Sequence, residues 1–503
     1  MNKNNLIPYF SLACFLLFTT LTAQENHNNK SLISKVDQYL SDGVSNGFSG
    51  SILIVKEGKI VLNKGYGMAD RENNIPYTKN TVATIGSVTK QFTATAILKL
   101  VAQDKLKLTD SMSHFFKNLP PDKKGITIHQ LLTHSAGLIN GIGVGDFDMI
   151  PREIFFKKLF TSQLLHSPGS KYAYSNAGYS ILARIIEVTS GQDYESFLNE
   201  HLFKPAGMHQ TGYFLPQWQS HLIAKGYAHG FINIGSMIER YQKMGAVTWN
   251  LKGNGGIHST PEDMYKWYQA LQSNAILSAA AFEKLIRPYL LEQEGGNTHY
   301  GYGWSIQNSI RNTKIITHNG GNGIYFHDFI WLPKEEGLII LFTNAGCRET
   351  EVAWPIERMI FEAVDLIEPI KKSLHHFTFD FIKKHDLRQS TELSSKIKKT
   401  YRTTLKDSNY LNGLGYDLLR GEIIEVQNHL AWAVEIFKLN VELFPTDGNS
   451  WDSLGEAYVA NGQITKAIAC YEKALALAPE TACNWCESSV KALQILKGKD
   501  RYE

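Results

Sequence analysis

The stretch from Ala83 to Val101 constrains this chain more than any other. Its second half, Gln91-Phe92-Thr93-Ala94-Thr95-Ala96-Ile97-Leu98-Lys99-Leu100-Val101, predicts a helix of small and aliphatic residues. A helix that is apolar on nearly every side belongs inside a domain, not on its surface. Immediately before it stands Ala83-Thr84-Ile85-Gly86-Ser87-Val88-Thr89-Lys90. Ser87 falls where the helix should begin, and Lys90, three positions on, shares its face. A serine hydroxyl is a poor nucleophile until a neighbour takes its proton, and an amine beside it at a helix N-terminus can do so. An N-cap serine followed by a surface lysine has the same pattern. Partner groups elsewhere in the chain decide between the two.

The length of 503 residues predicts two or three domains, and 43 % apolar with 20 % charged residues supplies ample core. The net charge of +3 comes with no basic run, which argues against a nucleic-acid partner. Leu6 to Leu21 is mostly apolar, follows Lys3 and precedes Leu21-Thr22-Ala23. This predicts a signal peptide over 1–23, cut after Ala23, and a periplasmic or extracellular mature chain without a transmembrane helix. Of five cysteines, Cys14 would leave with the signal. Cys483 and Cys486 are spaced like a redox or zinc pair, but no second pair or histidine cluster completes a metal site, so a local disulfide or packing role is expected. The 17 histidines are scattered, and no metal or cofactor is expected.

Along the chain, 30–46 predicts an amphipathic helix, and 49–55 with 59–66 a β-hairpin turning at Lys56-Glu57-Gly58. A short helix within 125–138, stopped by Gly137, and helices over 177–189 and 194–202 follow. Period-two patterns return at 314–317, 325–332 and 337–343, and a closing helix is expected over 354–367. Strands at both ends with helices between predict an α/β domain with one antiparallel sheet, flanked by helices and carrying a helical subdomain. The expected domains are 24–368, a linker with some helix over 369–405, and an all-α domain over 406–503. In that last domain Trp451, Leu454, Gly455, Tyr458, Gly462, Ala467, Tyr471, Ala474 and Pro479 stand at the spacings of a tetratricopeptide repeat. Gly421, Ala433, Phe437 and Pro445 mark a weaker earlier repeat, and 482–496 a capping helix. Such repeats suggest a protein partner.

Two stretches can complete the chemistry. Tyr174-Ser175-Asn176 precedes a helix, and His318-Asn319-Gly320-Gly321 ends a strand. Alone, each has a plainer account, a capping asparagine and a glycine turn. Together with Ser87-Val88-Thr89-Lys90, in this order and at these intervals, they resemble the serine β-lactamase and penicillin-binding-protein-like family. The closest branch is that of class C β-lactamases, D-alanyl-D-alanine carboxypeptidases, D-aminopeptidases and related esterases. The resemblance covers about Lys30 to Glu368. It implies that Ser87 is acylated, that Lys90 shares its proton, and that Tyr174, as phenolate or through Lys90, is the general base. It also implies that Asn176 positions the acyl side chain and that the Ser87 and Gly321 N–H groups form the oxyanion hole, with His318, Gly320 and Gly321 on the substrate. The resemblance implies that class C β-lactamases and most peptidases of the group carry lysine where this chain has His318, and that histidine there is a familiar variant among esterase-like members. A neutral imidazole holds a substrate carboxylate poorly, which favours neutral esters or D-aminoacyl amides. The expected function is a secreted serine hydrolase acting on a small-molecule or peptide ester or amide. The alternative is a lapsed hydrolase whose repeats bind a partner.

Overall fold

The computed structural model describes residues 31–146, 148–362, 364, 368–421, 426–479 and 483–499. The expected signal peptide, 1–23, lies outside the described residues. The chain divides into two units, 1–371 and 372–503.

The first unit is built on an eight-stranded antiparallel sheet. Its strands are β1 (Gly50–Lys56), β2 (Lys59–Tyr66), β3 (Leu290–Leu291), β4 (His299–Tyr300), β5 (Ser305–Asn308), β6 (Lys314–Gly321), β7 (Phe326–Leu332) and β8 (Gly337–Thr343). They lie in the order β2-β1-β8-β7-β6-β5-β4-β3. The first strand therefore pairs with the last, Gly50 opposite Thr343 and Val55 opposite Leu338.

Alternation along these strands divides the core in two. Leu53, Val55, Ile316, Phe329, Trp331, Ile340 and Phe342 face one side. Ile52, Ile54, Ile315, Ile330, Leu332, Ile339 and Leu341 face the other. The second face is covered by Val36 and Leu40 of a helix over 31–43, and by Ala353, Ile356 and Ile360 of the helix Ala353–Phe361. With both faces covered, the central strands read as continuous apolar runs. The result is three layers, with the helical subdomain on the first face.

On that face α1 (Thr89–Ala102) is buried from Thr89 through Leu98 and packs on α2 (Asn176–Ser190). The expected helix in 125–138 is shorter, Ile128–Leu132, with a capping box between Thr127 and Gln130. It stops before Gly137 because His134 takes a left-handed backbone, φ +55°, which a helix cannot continue. The expected helix 194–202 is α-helical over Tyr194–Leu198 and continues as a π-turn over Asn199–Phe203.

The second unit is helical. The stretch expected as a linker holds the helices Leu374–Ile382 and Ser390–Thr400 and groups with this unit. Two helix pairs follow, Asn409–Arg420 with His429–Leu443 and Gly448–Ala460 with Ile464–Ala476, and then Cys486–Lys499. Each pair closes where a glycine meets a ring. A Cβ on Gly415 would lie 2.5 Å from Phe437, and one on Gly455 would lie 3.0 Å from Tyr471. Gly415 is thus the counterpart of Gly455. Gly421, aligned with Gly455 by sequence spacing, instead ends its helix at φ +65°, as Gly462 follows the next at φ +74°. Gly415 and Phe437 stand further apart in sequence than Gly455 and Tyr471, so a fixed shift of 34 loses register there. Cys483 and Cys486 form a disulfide.

Candidate active site

Ser87 sits in a 3₁₀ turn, Gly86–Val88, that feeds directly into α1. Strand β6 packs edge-on against this turn. A Cβ on Gly320 would lie 2.1 Å from the Ile85 carbonyl oxygen and 2.5 Å from the Ser87 nitrogen. Gly86 has φ +50°, and a Cβ there would lie 2.8 Å from the Gly320 carbonyl carbon. Only two facing glycines let the strand end reach the serine turn.

Lys90 Nζ is 3.0 Å from Ser87 Oγ, 2.7 Å from Asn176 Oδ1 and 2.8 Å from the Asn254 carbonyl oxygen. The side chain is wholly buried, and burial drives its pKa well below 10.5, against a weaker opposing pull from Asp146. Nζ donates to all three oxygens, and loss of one of its protons, which burial favours, would free a lone pair to accept the Ser87 O–H instead. The Asn254 carbonyl is aimed by its own side chain, whose Nδ2 donates to Ser180 Oγ at 2.9 Å and to the Asn250 carbonyl at 2.8 Å. Thr93 Oγ1 donates to the adjoining Gly253 carbonyl at 2.6 Å.

Tyr174 lies in the loop before α2, its hydroxyl directed at Ser87 and its ring 4.8 Å from Lys90 Nζ. Burial raises its pKa, which favours the phenol over the phenolate at neutral pH. His134 packs on the ring, centroids 4.2 Å apart, and its Nδ1 accepts the Ser175 N–H at 3.0 Å. Burial and Lys90 keep His134 neutral.

His318 is 5 % exposed. Its Nδ1–H donates to the Asn319 carbonyl at 2.6 Å, and its Nε2 accepts from the Tyr300 hydroxyl at 3.0 Å. That pairing fixes the neutral tautomer, and burial, aided by Lys90, pushes the pKa down to about 3. His318 therefore carries no charge at ordinary pH.

Ser87, Asn176 and Gly321 line one cleft with Asp146, Asn254 and Asn322. Its free space is about 40 Å³, room for a few waters or a short acyl group. The structure thus gathers Ser87, Lys90, Tyr174, Asn176, Gly320 and Gly321, with His318 buried beside them on β6. Asn176 uses its oxygen on Lys90 while it lines the cleft. Sequence reasoning did not single out Asn254, Asp146, His134 or Tyr300. Asn254 acts through its main chain, which no side-chain pattern reveals. Asn254, Tyr300 and His134 stand in the stretches 254–264, Tyr300-Gly301-Tyr302-Gly303-Trp304 and 130–138, which also resemble that family.

A family model described as Beta-lactamase matches residues 35–352, and one described as Tetratricopeptide repeat matches 448–481. The putative penicillin-binding protein PbpX of Bacillus subtilis is 34 % identical over 273 residues, 54 % of this chain and 65 % of that protein. This chain therefore matches slightly less than two thirds of that relative's length. The teichoic acid D-alanine hydrolase of Staphylococcus aureus is 25 % identical over 287 residues, 56 % of this chain and 68 % of its own length. Among solved structures, a penicillin-binding protein from Bacillus halodurans superposes with a TM-score of 0.56 at 24 % identity, covering 65 % of this chain and 99 % of that one. At that identity the match speaks for the fold alone.

Proposed function

The chain belongs to the beta-lactamase family and carries a C-terminal tetratricopeptide repeat, and from that premise we propose a serine hydrolase that acts through an acyl-enzyme on an ester or amide. The observation that carries this reading is Lys90. A wholly buried amine, 3.0 Å from a serine hydroxyl and flanked by two neutral acceptors, is arranged to receive a proton.

Ser87 Oγ attacks the acyl carbon as its proton passes to Lys90 Nζ, and the carbonyl electrons move onto oxygen. The N–H groups of Ser87 and Gly321 stabilise that oxyanion, supported by the close approach of β6 to the serine turn. The proton travels by way of the Tyr174 hydroxyl to the leaving group, and the C–O or C–N bond breaks. Water then attacks the ester as one of its protons passes through the Tyr174 hydroxyl to Lys90, and that proton returns to Ser87 Oγ as the ester C–O bond breaks and the acid is released. With His318 neutral and Lys90 driven toward neutrality, the site offers no fixed positive charge to a substrate carboxylate. This supports esters and amides that lack one, in preference to β-lactams or peptides ending in D-alanine. The relative that acts as a teichoic acid D-alanine hydrolase is consistent with such a substrate class. The Cys483–Cys486 disulfide fits an oxidising compartment, which supports a periplasmic or extracellular location. Among the described residues no helix is long and apolar enough to cross a membrane. The repeat supports a protein partner for the second unit.

The test is labelling of the full chain with a fluorophosphonate, followed by mass spectrometry of the adduct. The reading expects the label on Ser87 and the loss of both label and p-nitrophenyl acetate turnover in Ser87→Ala. Turnover that survives in a purified Ser87→Ala chain refutes it. A native chain that neither labels nor turns over favours the lapsed alternative.

A further inference from the structure

We propose that a groove within the second unit docks an acidic peptide segment of a partner protein, with Lys399 and Arg402 on its acids and an aliphatic and aromatic floor under its apolar side chains. This deepens the reading of the second unit as partner-binding and rests on it. It is independent of the chemistry at Ser87.

The groove has a free volume of about 960 Å³, and every residue lining it belongs to the second unit. That is the upper end for ligand clefts, room for several side chains rather than for an ion. One wall is the helix Ser390–Thr400, which precedes the matched repeat at 448–481. The other is Gly448–Ala460, and His429–Leu443 packs on both and forms the floor. The groove therefore needs a helix that the repeat pattern does not supply.

The first wall buries only Leu393 and Ile397, four residues apart. Its flank then presents Thr391, Ser395 and Lys399 as one row and Ser394 with Lys398 as a second, and both rows line the groove. The hydroxyls are donors for the carbonyls of a bound chain. Leu439 and Leu454 close the bottom, and Trp451 and Tyr458 face the opening from the far wall. Trp451 Nε1–H donates to the Pro445 carbonyl at 3.0 Å, which holds the indole in place. Rigid aromatic surface of this kind is what anchors a partner.

Charge decides the occupant. Four cations line the groove against two acids, and both acids are already taken. Glu435 pairs with Lys438 at 2.9 Å, and Glu442 pairs with Lys398. Lys399 and Arg402 are left over. Both are exposed, and among the described residues neither meets an acid. A segment with acids beside leucine or aromatic residues matches both the cations and the floor, and a basic segment is repelled. Attraction and repulsion select in one direction.

The test is fluorescence anisotropy on the full-length chain with three labelled peptides: one of glutamate, leucine and phenylalanine, one with lysine in place of glutamate, and one of glutamate alone. The first is expected to bind saturably and more tightly than the other two. Its affinity should fall about ten- to hundred-fold in Lys399→Glu/Arg402→Glu, and should weaken in wild type as salt rises, since exposed charges are screened. The same charge change at exposed positions outside the groove, Lys334→Glu/Lys473→Glu, should leave it unaltered. Melting temperature checks that both variants fold. Equal loss in the two variants overturns the proposal, as does absence of saturation up to about 1 mM. Equal binding of the glutamate-only peptide reduces the groove to a bare anion site and overturns it. Binding of the lysine peptide alone also overturns it, while the partner reading stands. A wild-type dimer that Lys399→Glu/Arg402→Glu dissociates assigns the groove to a second copy of this chain instead. p-Nitrophenyl acetate turnover, run in parallel, keeps the readings apart: its absence with peptide binding intact removes the hydrolase reading alone.

Discussion

Asn176→Asp places a carboxylate where a neutral amide oxygen now accepts from Lys90 at 2.7 Å. In the wild type burial lowers the Lys90 pKa, and only the weaker pull of Asp146 opposes it. An opposite charge within about 4–6 Å favours the charged form and shifts a pKa by roughly 1–3 units. The sign follows directly. The new carboxylate stabilises the ammonium, so the Lys90 pKa rises and the neutral base appears only at higher pH. Below that pKa each unit removes about nine tenths of the remaining neutral amine. On the acid limb kcat/KM should therefore fall by roughly ten- to thousand-fold, and the loss should be recovered progressively as pH rises. The assay is the pH profile of kcat/KM for p-nitrophenyl acetate, corrected for spontaneous hydrolysis, in wild type and variant. The acid limb should move to higher pH by about 1–3 units. A uniform loss at all pH values, with the limb unmoved, would mean that Lys90 is not the titrating base. Asn176→Ala serves as the control, since it removes the acceptor without adding charge and should leave the limb near its wild-type position.

Three further outcomes can be checked. Tyr174→Phe keeps the ring against His134, 4.2 Å away, but removes the proton-carrying oxygen; kcat should fall by about 10²–10⁴ with little change in melting temperature, and acylation and deacylation rates both unchanged from wild type in stopped flow would assign the relay to Lys90 alone. Gly320→Ala drives a methyl to 2.1 Å from the Ile85 oxygen and 2.5 Å from the Ser87 nitrogen, so strand and serine turn must part; turnover should drop at least a hundred-fold, and a fully active variant would show that β6 need not approach so closely. His327 is buried and pushed down to about 3, while an unfolded histidine titrates near 6.5. The unfolded chain thus binds the extra proton between those values, and the stabilisation present above pH 6.5 is lost as pH falls toward 3. His327→Gln should flatten the slope of stability against pH between 4 and 6 by about 1.4 kcal/mol per unit, measured by urea unfolding at stepped pH, and an unchanged slope would count against a neutral His327.

Local pattern explains which parts of the fold were legible. Strands β2 and β8 fall where alternation and apolar runs predicted them, and Ser87 and Lys90 meet because three residues of helix bring them together whatever else the chain does. Strand β6 runs on to Gly321, beyond the predicted end at Thr317, because its last residues are glycines and polar groups that pair only when β7 and the serine turn are present. The two-residue strands β3 and β4 are too short to show any period. The position of Asp146 and the role of Asn254 were not legible for a related reason. One is an isolated acid in an irregular loop, the other contributes a main-chain carbonyl, and both acquire meaning from groups far away in sequence. The helical character of 372–405 was underestimated because charged residues there mask a sparse apolar stripe, Leu393 and Ile397 being the buried positions of Ser390–Thr400.

The pairing of the first sheet strand with the last has a consequence for biosynthesis. Ser87 leaves the ribosome early, but β6, which borders it, and β8, which pairs with β1, come much later. About 255 residues separate Ser87 from Thr343, which at roughly 5–20 residues per second is about 13–50 s of synthesis. Throughout that interval β1 has β2 on one side but not β8 on the other, and until Gly320 is made the serine turn lacks the strand end that borders it. Non-local pairing of this kind also makes folding slow. A chain shortened before Lys314 would lack β6 as well as β8, leaving one edge of the apolar strand β1 unpaired and the serine turn without the strand that borders it.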